Sequence, residues 1–93
     1  MTKLKIDQSS QFKKDLKKSI KQKRDLSKLE TVINLLQKME KLPLKYRDHN
    51  IIGNWNGHRE CHLEPDWLLI YKIEKELKSL NLVRTGSHSE LFK

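Results

Sequence analysis

The sequence predicts an α+β fold in which an N-terminal strand and a helical hairpin pack on a four- to five-stranded, mainly antiparallel sheet. Two observations carry this. Apolar residues recur at helical spacing from Phe12 to Met39, and beyond Pro43 the pattern changes to alternation cut by three sharp turns. The whole chain, residues 1–93, reads as one domain, because a chain of this size builds a single modest core.

The elements follow in order. Residues 3 to 7 alternate, with Leu4 and Ile6 on one side, as in a short half-buried strand. Ser9 or Ser10 can cap a helix whose stripe is Phe12, Leu16 and Ile20, with Lys13, Lys14, Lys17, Lys18 and Lys21 around it. Ser27 and Glu30 form a capping box for a second helix, which carries Leu29, Val32, Ile33, Leu36 and Met39 until Pro43 forbids continuation. Asn56-Gly57 is the strongest hairpin signal and joins Ile51–Trp55 to His58–Glu64. Pro65-Asp66 turns the chain into Trp67–Ile73, and a polar connection from Glu74 to Lys78 returns it into Ser79–Thr85, completing a four-stranded meander.

Composition narrows the classes. The apolar fraction is 35% and the charged fraction 34%, so the core is thin and one sheet covered by helices is the natural architecture. The single cysteine, Cys61, excludes an internal disulfide and points to a reducing setting. No apolar run approaches a membrane span and the N-terminus lacks a signal-type apolar core, so a soluble, cytoplasmic protein with no membrane partner is expected. Of the net charge of +8, +7 lies within the first 28 residues. A basic segment beside a nearly neutral one suits a protein that grips a polyanion with one surface, although a lysine-rich helix facing solvent is the plainer reading.

The chemically capable residues concentrate between His49 and His88. In a meander alternate turns lie at opposite ends, so whatever sits at the Pro65-Asp66 end converges. A two-residue turn at 56 and 57 pairs residue 51 with His62 and leaves His49 just beyond, while the last strand brings Arg84 beside Trp67 and His88 after Gly86. His49, His62, Asp66, Arg84 and His88 are thus expected at one edge. Each has a plainer reading alone: Asp66 as a turn residue, His88 as the first residue of a helix capped by Ser87 and Glu90, and Trp67 and Phe92 as packing.

The motifs Leu42-Pro43, Arg47-Asp48-His49, Gly53-x-Trp55-x-Gly57, Arg59-Glu60-x-His62-x-x-Pro65-Asp66-Trp67-Leu68-Leu69-Ile70-Tyr71 and Arg84-Thr85-Gly86-Ser87-His88-Ser89-x-Leu91-Phe92 closely resemble the YafQ-type toxins. These belong to the RelE superfamily of bacterial type II toxin–antitoxin modules. The resemblance implies a RelE-like fold and an endoribonuclease that enters the ribosomal A site, cuts translated mRNA and is neutralised by a cognate antitoxin in a hetero-oligomeric complex. It ties His49, His62, Asp66 and His88 to cleavage and places Arg84 and Phe92 in the same site.

Cleaving RNA without a metal or other cofactor needs a base for the 2′-hydroxyl, a cation for the phosphate and an acid for the leaving 5′-oxygen. Histidine, arginine and aspartate supply all three. The assignment is His88 as acid, Asp66 or His49 as base, His62 positioning the phosphate or base, and Arg84 as the phosphate fork. Trp67, Phe92 and the lysines 13, 14, 17, 18 and 21 complete the expected RNA contacts. A non-catalytic binding module and a metal hydrolase using His49, His62, His88 and Asp66 are the alternatives.

Overall fold

The computed structural model describes residues 3–51 and 57–92, which form β1 (Lys5–Gln8), α1 (Ser10–Lys21), α2 (Leu26–Gln37), a 3₁₀ turn (Leu44–Tyr46), β2 (His49–Asn50), β3 (Arg59–Glu64), β4 (Trp67–Glu74), β5 (Ser79–Gly86) and α3 (His88–Leu91). The sheet runs β1-β5-β4-β3-β2. β2 to β5 are antiparallel neighbours, whereas β1 adds to β5 in parallel, and the α1–α2 hairpin carries the chain from β1 at one edge of the sheet to β2 at the other. The predicted architecture is therefore present, with the N-terminal strand as the fifth, parallel member.

Hydrophobicity explains the layering. Phe12, Leu29, Val32 and Leu36 of the helices meet Cys61, Leu63, Trp67, Leu69, Tyr71, Leu80 and Leu82 of the sheet in one buried cluster. β4 is central, and Trp67 through Ile70 are fully buried. Its alternate residues Leu68 and Ile70 pack on the opposite face with Leu91 of α3. One face of the sheet is covered by two helices, the other by a single helical turn.

Several local expectations are corrected. In β1 all four residues are exposed, because it is a short edge strand, and only Leu4 before it is buried. Ser9 is the cap of α1, its hydroxyl accepting from the Phe12 N–H. The buried face of that helix is Phe12, Asp15 and Ser19, and Ile20 is 53% exposed. α2 starts two residues earlier than the Ser27–Glu30 box implies. Asp25 caps it, its carboxylate accepting from both the backbone N–H and the hydroxyl of Ser27, so the ionised acceptor displaces Ser27 from that role. The helix stops at Gln37, and Met39 takes a left-handed conformation (φ 59°) with its side chain 52% exposed, so an αL stop precedes Pro43.

Two registers also differ from expectation. Ile51 donates to the His58 carbonyl at 3.0 Å and His49 pairs with Glu60, so residue 51 does not oppose His62. The connection between β2 and β3 is longer than a two-residue turn. Most of it, with Asn56 of the expected turn and Trp55 of the expected strand, lies outside the described residues, while Gly57 has φ 83°. Along β5, Tyr71 opposes Leu82 and Ile70 opposes Arg84, leaving Val83 as an extra residue. This bulge, with pairing that begins at Glu74 and Ser79, sets Arg84 three places along β4 from the expected Trp67. The Pro65-Asp66 turn stands as read, closing Glu64 onto Trp67.

β1 covers β5 only as far as Leu82, and α1 seals the rest of that edge. The Ser9 hydroxyl donates to the Val83 carbonyl at 2.7 Å, and Asp15 accepts the Thr85 N–H at 3.2 Å together with Arg84 Nε at 2.7 Å. Asp15 thus stands in for a missing strand. Asp15→Ala is expected to lower the urea unfolding midpoint by the equivalent of roughly 1–3 kcal/mol, since it orphans a backbone N–H and a half-buried guanidinium. An unchanged midpoint would mean that solvent satisfies this edge.

Candidate active site

Alternation along β3 sends Cys61 and Leu63 to the two-helix face, so Glu60 and His62 project from the opposite one. There the rings of His49, His62 and His88 form a row, with centroids 6.3 Å apart for the first pair and 5.6 Å for the second. Asp66 closes the row, its Oδ1 lying 2.8 Å from His88 Nδ1 and accepting the His88 backbone N–H at 3.0 Å. Four of the five expected catalytic residues therefore meet, although the β2 register differs by four residues from the expected one. The convergence survives because His49 sits on the strand that neighbours His62, whichever residue it opposes.

The hydrogen bonds fix proton positions. His49 Nδ1 is 2.7 Å from the Arg47 carbonyl, which can only accept, so Nδ1 carries the hydrogen and Nε2 holds the lone pair of the neutral ring. His88 Nδ1 likewise donates to Asp66, leaving Nε2 as the atom that gives or takes a proton. The His88 backbone N–H, and next the His88 ring, hold the Asp66 carboxyl below the usual carboxylate range. A carboxylate stabilised in this way orients His88 and is a poor base. His62 Nε2 lies 3.4 Å from Glu60 Oε1, and Glu60 is buried.

The segment bearing His49 is pinned from the other face of the sheet. Asp48 accepts from Arg59 Nη2 at 2.7 Å and from Arg59 Nε at 3.2 Å, and also from the Tyr71 hydroxyl through a short hydrogen bond. Arg59 Nη1 reaches Asn50 Oδ1 at 2.7 Å. Burial first, then the bond to Asp48, pushes the Tyr71 hydroxyl well above its ordinary range, so it remains a donor. The Asp48 hydrogen bond, the largest cause, raises Arg59 further.

The other expected residues are placed differently. Arg84 lies across from Ile70 with its guanidinium on Asp15, in a cleft of about 280 Å³ shared with Lys14, Lys18 and Glu90. It contacts α1 and not the histidine row. Trp67 is fully buried with Arg24 over its ring at 5.3 Å, so it serves packing and offers no face on which a base can stack. Phe92 is 39% exposed beside His88, and lysines 13, 14, 17, 18 and 21 are all exposed on α1. Cys61 is fully buried and its thiol is pushed up by that burial, which leaves it inert.

Glu60 is not among the residues expected in the site. Period two puts residues 60 and 62 on one face, and the burial of Glu60 there follows from the fold. Among the described residues, Glu60, His62 and His88 could hold a metal ion, their donor atoms lying within 4.8 Å of one another. Two imidazoles and a carboxylate suit zinc or copper, though bonds of about 2.0–2.2 Å require the donors to draw closer.

The same architecture is found in solved proteins. The toxin of the Escherichia coli DinJ-YafQ toxin–antitoxin complex matches with a TM-score of 0.89 at 41% identity, covering 98% of this chain and 99% of that one. A metal-bound toxin from Helicobacter pylori matches at 0.91 and 48% identity, covering 96% and 99%. The mRNA interferase toxin YafQ of Escherichia coli K12 is 43% identical over 88 residues, 94% of each chain. The family model for the bacterial toxin of type II toxin–antitoxin systems, YafQ, matches residues 4–93, and the chain belongs to that family.

α3 presents His88 because Glu90 anchors it. Ser87 and Glu90 form a capping box, and Glu90 also pairs with Lys18 of α1. The Lys18 contact, then the Ser87 N–H, lower the Glu90 carboxyl from 4.5 to about 2. A depressed carboxylate contributes stability that is complete above its unfolded value and lost as pH falls through the folded one. Unfolding free energy should therefore decline between about pH 4.5 and 2 by an amount on the order of 1 kcal/mol from this group. Glu90→Gln should remove that part of the acid limb in pH-resolved urea titrations.

Proposed function

We propose that this chain is an endoribonuclease toxin that cleaves translated mRNA in the ribosomal A site by metal-independent acid–base catalysis and is neutralised by a cognate antitoxin. The observation that carries the reading is the row of three imidazoles with defined proton positions, backed at one end by a carboxylate. His49 Nε2 takes the proton of the 2′-hydroxyl, whose oxygen attacks the adjoining phosphorus. The P–O5′ bond breaks, and His88 Nε2, protonated and facing away from Asp66, gives its proton to the departing 5′-oxygen. The products are a 2′,3′-cyclic phosphate and a free 5′-hydroxyl. Of the two candidates for base, the committed carboxylate of Asp66 leaves His49 as the choice.

His62, steadied by Glu60, stands between the two and faces the nonbridging oxygens. Arg84, the expected phosphate fork, is held by Asp15 through Nε and Nη2 in the separate cleft beside α1, so it would have to leave that carboxylate to bring its guanidinium to the reacting phosphate. Phe92, exposed beside His88, offers a ring to a base. The exposed lysines of α1 suit ribosomal RNA or the message backbone. This assigns the reaction to a compartment with ribosomes, the cytoplasm. Among the described residues, no helix is long and apolar enough to cross a membrane.

The antitoxin reading rests on the DinJ-YafQ complex of the relative and on the surface of the hairpin, which has an apolar groove lined by Ile6, Leu16, Leu26 and Ile33 and exposed lysines along α1. An acidic amphipathic segment fits such a surface, and the complex is hetero-oligomeric. The donors Glu60, His62 and His88, with the metal-bound Helicobacter pylori relative, favour a second role for the site as a metal ligand set. A metal there would bind His88 and His62 in their unprotonated forms and so compete with proton transfer.

His49→Ala and His88→Ala should each slow single-turnover cleavage about 10²- to 10⁴-fold. Both side chains are exposed, so stability should change by about 0.5 kcal/mol or less. Full activity in either variant would remove that residue from the chemistry.

Cleavage of one transcript should be far faster on programmed ribosomes than free in solution, because a flexible strand must otherwise be oriented by the enzyme alone. Equal rates in the two conditions would take the ribosome out of the mechanism.

A further inference from the structure

Beside the histidine row lies a cleft of about 400 Å³ lined by Lys28, Lys45, Tyr46, Arg47, His62 and Pro65, with Leu63 and Glu64 completing its wall. Ligand pockets run roughly 300–1,000 Å³, so this one suits a single nucleotide and not a longer stretch. It shares His62 with the row. Three cations face it against one carboxylate, and Glu64 is already engaged by Lys28 at 2.8 Å. Lys45 and Arg47 are exposed and are paired with no carboxylate among the described residues. Arg47 is also held in the left-handed region, φ 48°, where it ends the 3₁₀ turn and turns its carbonyl to His49 Nδ1. The same residue that fixes the proposed base therefore contributes a cation to the adjoining cleft.

We propose that this cleft is the subsite for the nucleotide on the 5′ side of the cleaved bond, with Lys45 and Arg47 holding the phosphodiester that precedes the attacking 2′-hydroxyl. The proposal rests on the cleavage reading given above and adds direction to it. The 2′-hydroxyl belongs to the 5′ nucleotide and the 5′-oxygen to the 3′ nucleotide. With His49 as base and His88 as acid, the message runs 5′ to 3′ from His49 towards His88. The cleft is built from the turn that leads into His49, whereas Arg84, Gly86 and Glu90 line the separate cleft on the α3 side. Only the first is placed to receive the upstream phosphate. Lys45 and Arg47 are positioning residues: they hold a group that does not react and bring the 2′-hydroxyl to His49.

The test uses ribosome-bound messages in which a single phosphodiester is replaced by an uncharged methylphosphonate, either one linkage 5′ or one linkage 3′ of the cleaved bond. The full chain should cleave the 5′-substituted message about 10- to 100-fold more slowly than the unmodified one, the range of a charge-assisted contact. The variant Lys45→Ala/Arg47→Ala should be slowed to a similar extent on the unmodified message and should no longer distinguish the two. Lys45→Arg should keep the discrimination. Binding of the antitoxin by the double variant reports that it is folded, and if it is not, the methylphosphonate comparison with the unaltered chain decides alone. Indifference of the unaltered chain to the 5′ substitution, or slowing by the 3′ substitution only, overturns the subsite. Lysine and arginine contacts to ribosomal RNA instead would slow the double variant while leaving its methylphosphonate discrimination intact, which also overturns it. If the unaltered chain fails to cut even the unmodified message, the cleavage reading itself has failed, an outcome separate from these.

Discussion

A five-stranded sheet needs both faces covered, and this chain has helices enough for one. α1 and α2 bury Trp67, Leu69 and Tyr71 on one side of β4. On the other side Leu68 and Ile70 are shielded by Leu91 from the single turn of α3, with Ile51 and Val83 packed against them. The rest of that face is available for polar groups. Because β4 is buried on both sides, the strands flanking it are rigidly placed, and a rigid half-open sheet face is a suitable platform for side chains that must meet within a few ångströms.

The polar residues divide between support and chemistry. Asp48, Arg59 and Tyr71 lock the segment that carries His49, and Asp15 locks the end of β5 from which Arg84 and the approach to α3 emerge. Glu90 then ties α3 to α1. Each of the histidines at the two ends of the row is therefore oriented by an acceptor, a carbonyl for His49 and a carboxylate for His88. Orientation from outside the site leaves one nitrogen of each ring available, which is what proton transfer in opposite directions requires.

Charge is arranged around this face and not on it. α1 carries its exposed lysines on one flank, and Lys28, Lys45 and Arg47 stand on another beside His62. Cations thus flank the histidine row on two sides. In the cleavage reading proposed above, long-range attraction and local chemistry fall to different residues, which suits the uneven distribution of the net charge along the chain.

Periodicity and turn chemistry, which are local properties, determined the helical hairpin, the Pro65-Asp66 turn, the order of β3 to β5 and the Ser87–Glu90 cap, and the motif spacing determined the family. The structure departs from that pattern at a helix cap, at two strand registers and at two buried charges. Asp25 displaced Ser27 as a cap because an ionised acceptor binds more strongly. The bulge at Val83 and the longer β2–β3 connection reset two registers, and neither leaves a mark in a pattern of period two. The burial of Glu60 and of Asp15 leaves no mark in the sequence, because charged residues are mostly exposed unless paired. Asp15 meets Arg84, at the far end of the chain, only once the sheet has closed, and Glu60, although on one strand face with His62, is buried only when the neighbouring strands are in place.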